Sequence, residues 1–167
     1  FDSLAVQLRP ALGALRQDYE KVLRQRNALL KSIRHEGFTP THESTLEVWD
    51  QQLAQTGARV LKARLEMVAN LRPHVAEAYH QLSDSVRTAR LSYLSSLDGS
   101  RNEEDGAPQP PGTQPAPIES ASTEELAQQL HFSLQGARKR ERERGMTLVG
   151  PHRDDVELHL GTAPAKG

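Results

Sequence analysis

The sequence has no cysteine, few aromatic residues and no long apolar run. Without cysteine, the chain can form neither a disulfide framework nor a thiolate metal site. Aromatic residues make up 4% and hydrophobic residues 36% of the chain, a composition that favours helical seams over one thick core. No apolar run approaches the roughly 20 residues that a membrane-spanning helix requires, and no signal peptide is visible at the start. We therefore expect a cytosolic or bacterial-type interior protein without a membrane partner.

The charges are nearly balanced, and the familiar catalytic motifs are missing. The 21 basic and 22 acidic residues give a net charge of -1, so any nucleic-acid role must depend on a local patch. The sequence contains no GxxxxGK[ST] phosphate loop, no GxSxG elbow and no nucleophile beside a base. Its seven histidines form no HxxxH pair or ligand cluster. We therefore predict no catalytic, cofactor or metal residue, and enzymatic activity stays an open question.

Two long helices are predicted from apolar residues spaced three and four apart. The first stripe runs from Leu4 to Ile33 and ends before Gly37, where the Gly/Pro segment interrupts the pattern. The second runs from Leu46 to Val86, about 40 residues or about 60 Å of helix, and Pro73 is expected to kink it. Two amphipathic helices joined by a short turn most simply form an antiparallel hairpin, here a coiled-coil-like arm.

The second half of the sequence predicts a strand, then a linker and then a third helix. Alternating residues at 89–97 predict a strand, with a continued helix as the competing interpretation. Residues 99–121 are rich in proline and poor in apolar side chains, which predicts a disordered linker. A third helix starts after Ser122, which forms a capping box with Glu125, and ends at Gly145.

The predicted fold class is α+β and predominantly α, with a long antiparallel helical hairpin and a small antiparallel β portion. We divide the chain into a helical arm (1–98), a Pro-rich linker (99–121), and a returning helix with a β-turn-β unit (122–167). The chain opens without Met, and the strand that ends at Leu160 has no evident partner after it. These features suggest an excised piece of a larger protein.

The segment TLVGPHRDDVELHL, residues 147–160, carries the densest chemistry. It predicts a strand, a tight polar turn and a second strand. The turn holds four candidate functional residues: His152, Arg153, Asp154 and Asp155. The two carboxylates could bind a divalent cation, or one could pair with the neighbouring arginine while the other faces water.

A basic run at the end of the third helix is the second candidate. Its cations could contact a phosphate backbone, or they could be a solvated helix end with internal pairs such as Arg138–Glu141. The candidate residues are Arg138, Lys139, Arg140, Arg142 and Arg144. Four basic residues of the first helix are expected opposite the apolar stripe, facing solvent: Arg24, Arg26, Lys31 and Arg34.

Four motifs resemble the RecF family. GPHRDD is the closest match, and RQRNALL within residues 18–32 is similar to a helix of that family. Trp49 in EVWDQQLA and the strand ARLSYLSSL, residues 89–97, also have counterparts there. The motifs are in the family's order and span nearly the whole chain.

The resemblance implies a bacterial, cytoplasmic DNA replication and recombinational repair protein with an SMC-like ABC ATPase head and an inserted helical arm. Such a protein binds ATP and Mg²⁺, dimerises, and binds gapped DNA or single–double-strand junctions. It also acts with RecO and RecR in loading RecA and in the SOS response. The family's phosphate loop precedes this segment and its signature and Walker B motifs follow it, so the segment should be inactive alone.

By the same resemblance, the GPHRDD residues couple arm to head by hydrogen bonds, or contact DNA or the other subunit. Their side-chain types do not choose among these roles. The basic run would add contacts to the DNA backbone. The alternative from another class is a structural or adaptor hairpin that recruits proteins and never touches DNA.

Overall fold

The chain folds into three helices and a small sheet in a computed structural model that describes residues 10–82, 89–97, 118–160 and 163–164. The helices are α1 (Pro10–Glu36), α2 (Pro40–Leu82) and α3 (Thr123–Arg144), and the strands are β1 (Ala89–Leu94), β2 (Asp155–Leu160) and β3 (Ala163–Pro164). The predicted α+β, mostly helical class is confirmed. Helical residues predicted before α1 and after α2, and most of the Pro-rich segment, lie outside the described residues.

Helices α1 and α2 form the predicted antiparallel hairpin. Arg26 bonds to Asp50 near the turn, whereas Tyr19, earlier in α1, packs against Gly57, later in α2. Contacts that run in opposite order along two helices require opposite directions. Gly37 ends α1 with a φ of 93°, a left-handed backbone that glycine adopts without steric cost, and its N–H donates to the carbonyl of Ile33.

Helix α2 spans 43 residues, which is about 64 Å at 1.5 Å per residue. It continues through Pro73. The kink expected at this proline stays a prediction. Among the helices that the structure describes, none is both long and apolar enough to cross a membrane.

Helix α3 has both of its predicted caps. The Ser122 side chain accepts from the Glu125 N–H, and the Glu125 carboxylate accepts from the Ser122 N–H, which completes the capping box. At the other end, Gly145 has a φ of 70° and its N–H donates to the Glu141 carbonyl. Helix α3 packs along α2 and, with a smaller contact, along the end of α1.

The sheet joins the two halves of the sequence. Strand β1 pairs antiparallel with β2, so that Leu91 lies opposite Leu158 and Tyr93 opposite Val156. Strand β3 then pairs with the end of β2. The strand predicted at 89–97 forms over Ala89–Leu94, and residues 95–97 lie beyond its end. The expectation that no partner strand follows Leu160 is wrong, because residues 163–164 pair there.

The predicted strand at residues 147–149 does not form. The Thr147 N–H donates to the side-chain oxygen of Asn27, and the Leu148 N–H donates to the Glu141 carboxylate. These donors are therefore satisfied by side chains instead of a neighbouring strand. The chain then passes through a 3₁₀ turn, Pro151–Arg153, into β2.

One main core lies between α2, α3 and the sheet. Ile118 and Ala121, at the end of the predicted linker, are buried in it, so this end of the segment is packed against the helices. Its fully buried large apolar side chains are Leu53, Val60, Leu61, Val68, Leu126, Leu130 and Leu134. This core fixes α3 beside the hairpin and thereby positions the loop that leads into GPHRDD.

Candidate functional site

Arg26 of α1 is completely buried where the three helices meet. Its Nε donates to Asp50 at 2.7 Å, and its Nη2 donates to Glu141 at 2.7 Å. Its Nη1 donates to the Thr147 hydroxyl at 2.8 Å. The sequence-based expectation that Arg26 faces solvent is wrong, because two carboxylates and a hydroxyl from other parts of the chain converge on it.

The carboxylates around Arg26 have further partners. Burial raises the pKa of Glu141, while the Arg26 charge and the Leu148 N–H favour its ionised form. Asp50 accepts a second charged hydrogen bond from Arg138, with Nε at 2.7 Å from its Oδ2. A buried ion pair is tolerated when the remaining lone pairs are also satisfied, and that condition is met here.

Asn27, the next residue of α1, completes the contact with the loop. Its side-chain oxygen accepts from both the backbone N–H and the hydroxyl of Thr147, at 2.8 and 2.7 Å. The Thr147 hydroxyl therefore accepts from Arg26 and donates to Asn27. The RQRN segment, residues 24–27, thus holds the loop that precedes GPHRDD.

Arg138 is engaged by α2 and not by its own helix. Its three nitrogens donate to Glu43, Glu47 and Asp50. Burial opposes its charge, but the hydrogen bonds that it donates to Glu47 and Asp50 outweigh this effect and raise the pKa of Arg138. The predicted Arg138–Glu141 pair is wrong, because Glu141 points to Arg26. A guanidinium with three carboxylate partners offers little to a phosphate.

The other four cations of the basic run face different surroundings. Lys139 and Arg144 are exposed, and Arg140 is half-buried. The guanidinium of Arg142 lies over the Phe38 ring, 4.2 Å from its centroid. The run is therefore divided between internal ion pairs and a surface beside the α1–α2 turn.

The GPHRDD turn is held by both helices of the hairpin. Arg64 of α2 donates to the Pro151 carbonyl. Tyr19 of α1 donates its hydroxyl hydrogen to His152 Nδ1 at 2.6 Å, and His152 Nε2 donates to the Thr147 carbonyl at 3.3 Å. This assignment uses the neutral imidazole, with one nitrogen as acceptor and the other as donor.

The pKa shifts of Tyr19 and His152 agree with a neutral imidazole. Partial burial lowers the pKa of His152 to about 4, and the positive charges of Arg153, Arg26 and Arg64 act in the same direction. Burial, together with the charge of Asp154, raises the pKa of Tyr19. Both groups are therefore neutral at pH 7.

Asp154 ties the turn to the end of β1. Its carboxylate accepts from the Tyr93 hydroxyl at 2.9 Å and from the Ser96 N–H at 2.7 Å. Burial raises its pKa, and the hydrogen bonds from Ser96 and Tyr93 oppose that shift. Asp155 is exposed at the start of β2, while Arg153 donates to the Thr147 carbonyl at 3.4 Å.

Gly150 is required by the closeness of Tyr19. Its φ is 126°, and an added Cβ would lie 2.6 Å from the Tyr19 hydroxyl oxygen. That separation is shorter than any ordinary non-bonded contact. The Gly-Pro pair predicts a turn from the sequence, but nothing in the sequence indicates that Tyr19 lies against Gly150.

No group of three or more His, Asp or Glu residues in the described ranges could hold a metal ion. Asp154 accepts hydrogen bonds from Tyr93 and Ser96, and Asp155 is exposed at the start of β2. The GPHRDD turn is thus a junction of hydrogen bonds between helices and sheet. The class of structure is a helical hairpin that is hydrogen-bonded to a small antiparallel sheet through a polar turn.

Comparison with known proteins gives this class a family. The DNA replication and repair protein RecF of Paenarthrobacter aurescens (strain TC1) is 49% identical over 170 residues, covering 99% of this chain and 42% of that protein. RecF of Arthrobacter sp. (strain FB24) is 50% identical over 172 residues, covering 99% and 43%. The chain belongs to the RecF family over the segment it spans, which is about two fifths of the length of these curated relatives. No protein-family model matches it.

Solved structures show the same fold. One, of the recombination mediator protein RecF with ATP in the RecFOR pathway, has a TM-score of 0.74 and 22% identity, covering 96% of this chain and 37% of that one. A second, of RecF-ATPrS, has a TM-score of 0.70 and 24% identity, covering 90% and 34%.

Proposed function

We propose that this chain is the helical-arm segment of a DNA replication and recombinational repair protein. The observation that carries the proposal is the GPHRDD turn, which is bonded to α1, α2 and the end of β1 at once. The RecF relatives, named as DNA replication and repair proteins, match the chain over 99% of its length. The proposed role is to couple movements of the sheet to the helical arm and to present a DNA-contacting surface.

The coupling follows from how the turn is held. Strand β2 starts directly after Asp154, so a shift of β2 pulls on the bonds from Tyr93 and Ser96. The same turn is bonded to Tyr19 and Arg64, one on each helix of the hairpin. Packed elements linked by short hydrogen bonds move together more readily than they separate.

DNA contact is proposed for the basic run without Arg138. The candidate cations are Lys139, Arg140, Arg142 and Arg144, which would bind phosphate oxygens and so carry no sequence information. Arg138 is left out because three carboxylates already accept from it. His152, Arg153 and Asp154 act in this proposal as coupling residues, and the exposed Asp155 is the candidate for a contact with a neighbouring subunit.

The activity of the whole protein is also a proposal. The chain has no phosphate loop, so ATP and Mg²⁺ would be bound by parts of the protein that it does not span. We propose ATP-dependent dimerisation, binding to gapped or junction DNA, and action with RecO and RecR. The solved relatives described as parts of the RecFOR pathway support this assignment.

The decisive experiment is fluorescence anisotropy of the full-length protein with gapped DNA over a salt series. Binding should weaken with salt, and the variants Arg142→Gln and Arg144→Gln should each reduce the slope of log K against log salt by about one per lost contact. Arg59→Gln is the control, because Arg59 is an exposed cation on α2 that lies roughly 28 Å of helix away from the turn. Unchanged slopes in both variants would refute a contact by this run.

A structural or adaptor hairpin is the second candidate. The nearly balanced charge, with 21 basic and 22 acidic residues, and the 4% aromatic content favour it. An apolar helical interface responds weakly to salt. Complete absence of DNA binding at low salt, combined with salt-insensitive binding of a partner protein, would support this function and refute the first.

A further inference from the structure

An exposed aromatic residue lies inside a basic surface at the α1–α2 turn. Phe38 is 43% exposed and Met146 is also 43% exposed. We call this area the turn surface and define it by six residues: Lys31, Arg34, Phe38, Arg142, Arg144 and Met146. Its cations come from α1 and α3, which are far apart in the sequence.

Direct packing brings these segments together. A Cβ on Gly145 would lie 3.1 Å from Cδ of Arg34 and 3.7 Å from Cα of Lys31. Arg34 Nη1 also donates to the carbonyl of Arg144 at 3.1 Å. The end of α3 therefore lies against the end of α1, and their exposed basic side chains share one surface.

The Phe38 ring has one cation and one other ring beside it, and part of its surface is exposed. The Arg142 guanidinium covers the ring at 4.2 Å from its centroid, and the His42 ring lies tilted at 6.3 Å. A guanidinium within about 6 Å of an aromatic ring is attracted to the ring face. The exposed remainder of the ring is available to a flat ligand.

The charge of the turn surface is positive. Two carboxylates, Glu36 and Glu143, are on the same helix ends, and Glu36 accepts a hydrogen bond from Ser32. Against them stand four cations within the defined surface: Lys31, Arg34, Arg142 and Arg144. Glu43 is occupied by Arg138. In a chain of net charge -1, this local excess of positive charge is a departure from the average.

We propose that the turn surface binds a nucleic-acid strand with unpaired bases, one of which stacks on Phe38 while the neighbouring phosphates contact Lys31, Arg34 and Arg144. The inference deepens the proposed function and rests on it. Cations that follow a backbone beside an exposed aromatic ring are the general arrangement for binding single strands, because every base has a face that can stack. In a duplex the bases are already stacked, so Phe38 would add little there.

The test compares single-stranded oligo(dT) with a blunt duplex of equal length, using the full-length protein and its Phe38→Ala variant. Loss of one stacked base should weaken oligo(dT) binding about tenfold and leave duplex binding within about twofold. Arg34→Gln should weaken both DNAs and lower both salt slopes, since it removes a phosphate contact. Arg59→Gln serves again as the control for loss of one exposed cation. Circular dichroism establishes that each variant is folded.

Each outcome separates the two proposals. A selective loss for oligo(dT) in Phe38→Ala supports the turn surface. Equal changes for both DNAs, or none, refute it while the proposed DNA function stands. Failure of the unsubstituted protein to bind any DNA refutes the proposed function itself. If Phe38→Ala and Arg34→Gln instead abolish binding of a poly-glutamate peptide and leave oligo(dT) unaffected, the surface takes an acidic polypeptide and the proposal is overturned.

Discussion

Arg26 Nη2 and Glu141 Oε2 lie 2.7 Å apart, and both side chains are completely buried. The two residues are 115 positions apart in the sequence. Their ion pair joins the first helix to the last at the level of the loop that enters GPHRDD. Because Asp50 lies on the other side of the same guanidinium, one arginine connects all three helices.

Replacing Arg26 by Met should strongly destabilise the protein. The change leaves Asp50 and Glu141 buried without their shared cation, which costs about 3–5 kcal/mol of unfolding free energy. Urea denaturation followed by circular dichroism measures it. Arg24→Met, at an exposed position of the same helix, should change stability by less than about 0.5 kcal/mol. A loss below about 1 kcal/mol for Arg26→Met would contradict this account of the network.

Gly150→Ala should destabilise more than Gly37→Ala. Both glycines have positive φ, 126° and 93°, but only at Gly150 would a Cβ meet another atom, the Tyr19 hydroxyl at 2.6 Å. Backbone strain costs about 1–3 kcal/mol at either position, and the clash adds to it at Gly150 alone. Thermal melts of the two variants make the comparison. Equal melting temperatures would show that the Tyr19 contact is not restrictive.

His152 should titrate well below an ordinary histidine. Its pKa of about 4 compares with about 6.5 for an exposed imidazole. The folded state binds fewer protons than the unfolded state between these values, so stability from this group is complete above pH 6.5 and is lost as the pH falls towards 4. Proton NMR of the ring tests this directly. Tyr19→Phe removes the donor to Nδ1 and should raise the pKa; an unchanged value would mean that the hydroxyl does not favour the neutral ring.

Arg138→Gln should act on stability and not on DNA. It removes hydrogen bonds to three carboxylates, and a lost charged hydrogen bond costs about 1.5–3 kcal/mol. Lys139→Gln, next to it and exposed, is the control and should stay within about 0.5 kcal/mol. Chemical denaturation and the salt slope of DNA binding are measured together. A lower slope of log K against log salt, with unchanged stability, would contradict this prediction and show that Arg138 contacts DNA.

The burial of Arg26 is indicated by its position in the sequence. Arg26 lies three residues after Leu23 and four before Leu30, so it occupies a position in the apolar stripe of α1. Asp50 lies four residues after Leu46 and three before Leu53, so it occupies a position in the apolar stripe of α2. A charged residue at a stripe position interrupts the apolar pattern and indicates a buried ion pair, whereas the sequence-based expectation for Arg26 is a solvated face.

The strand expected at 147–149 failed for a different reason. Thr147, Leu148 and Val149 have strand-like composition, but local composition does not decide where backbone donors find acceptors. Asn27 and Glu141 supply those acceptors, and both depend on the packing of α1 against α3.

The sequence by itself determined the helices, the caps of α3, the antiparallel hairpin and the strand at 89–94, because each follows from local spacing or from contacts between neighbours in the chain. Its GPHRDD and RQRN motifs also determined the family. Only the tertiary structure decided that Arg26 is buried, that Arg138 pairs with α2, and that Phe38 lies among the cations of α3. These outcomes depend on which charged groups meet across more than a hundred residues, and the free energy of burying a charge is set by those partners and not by the residue itself.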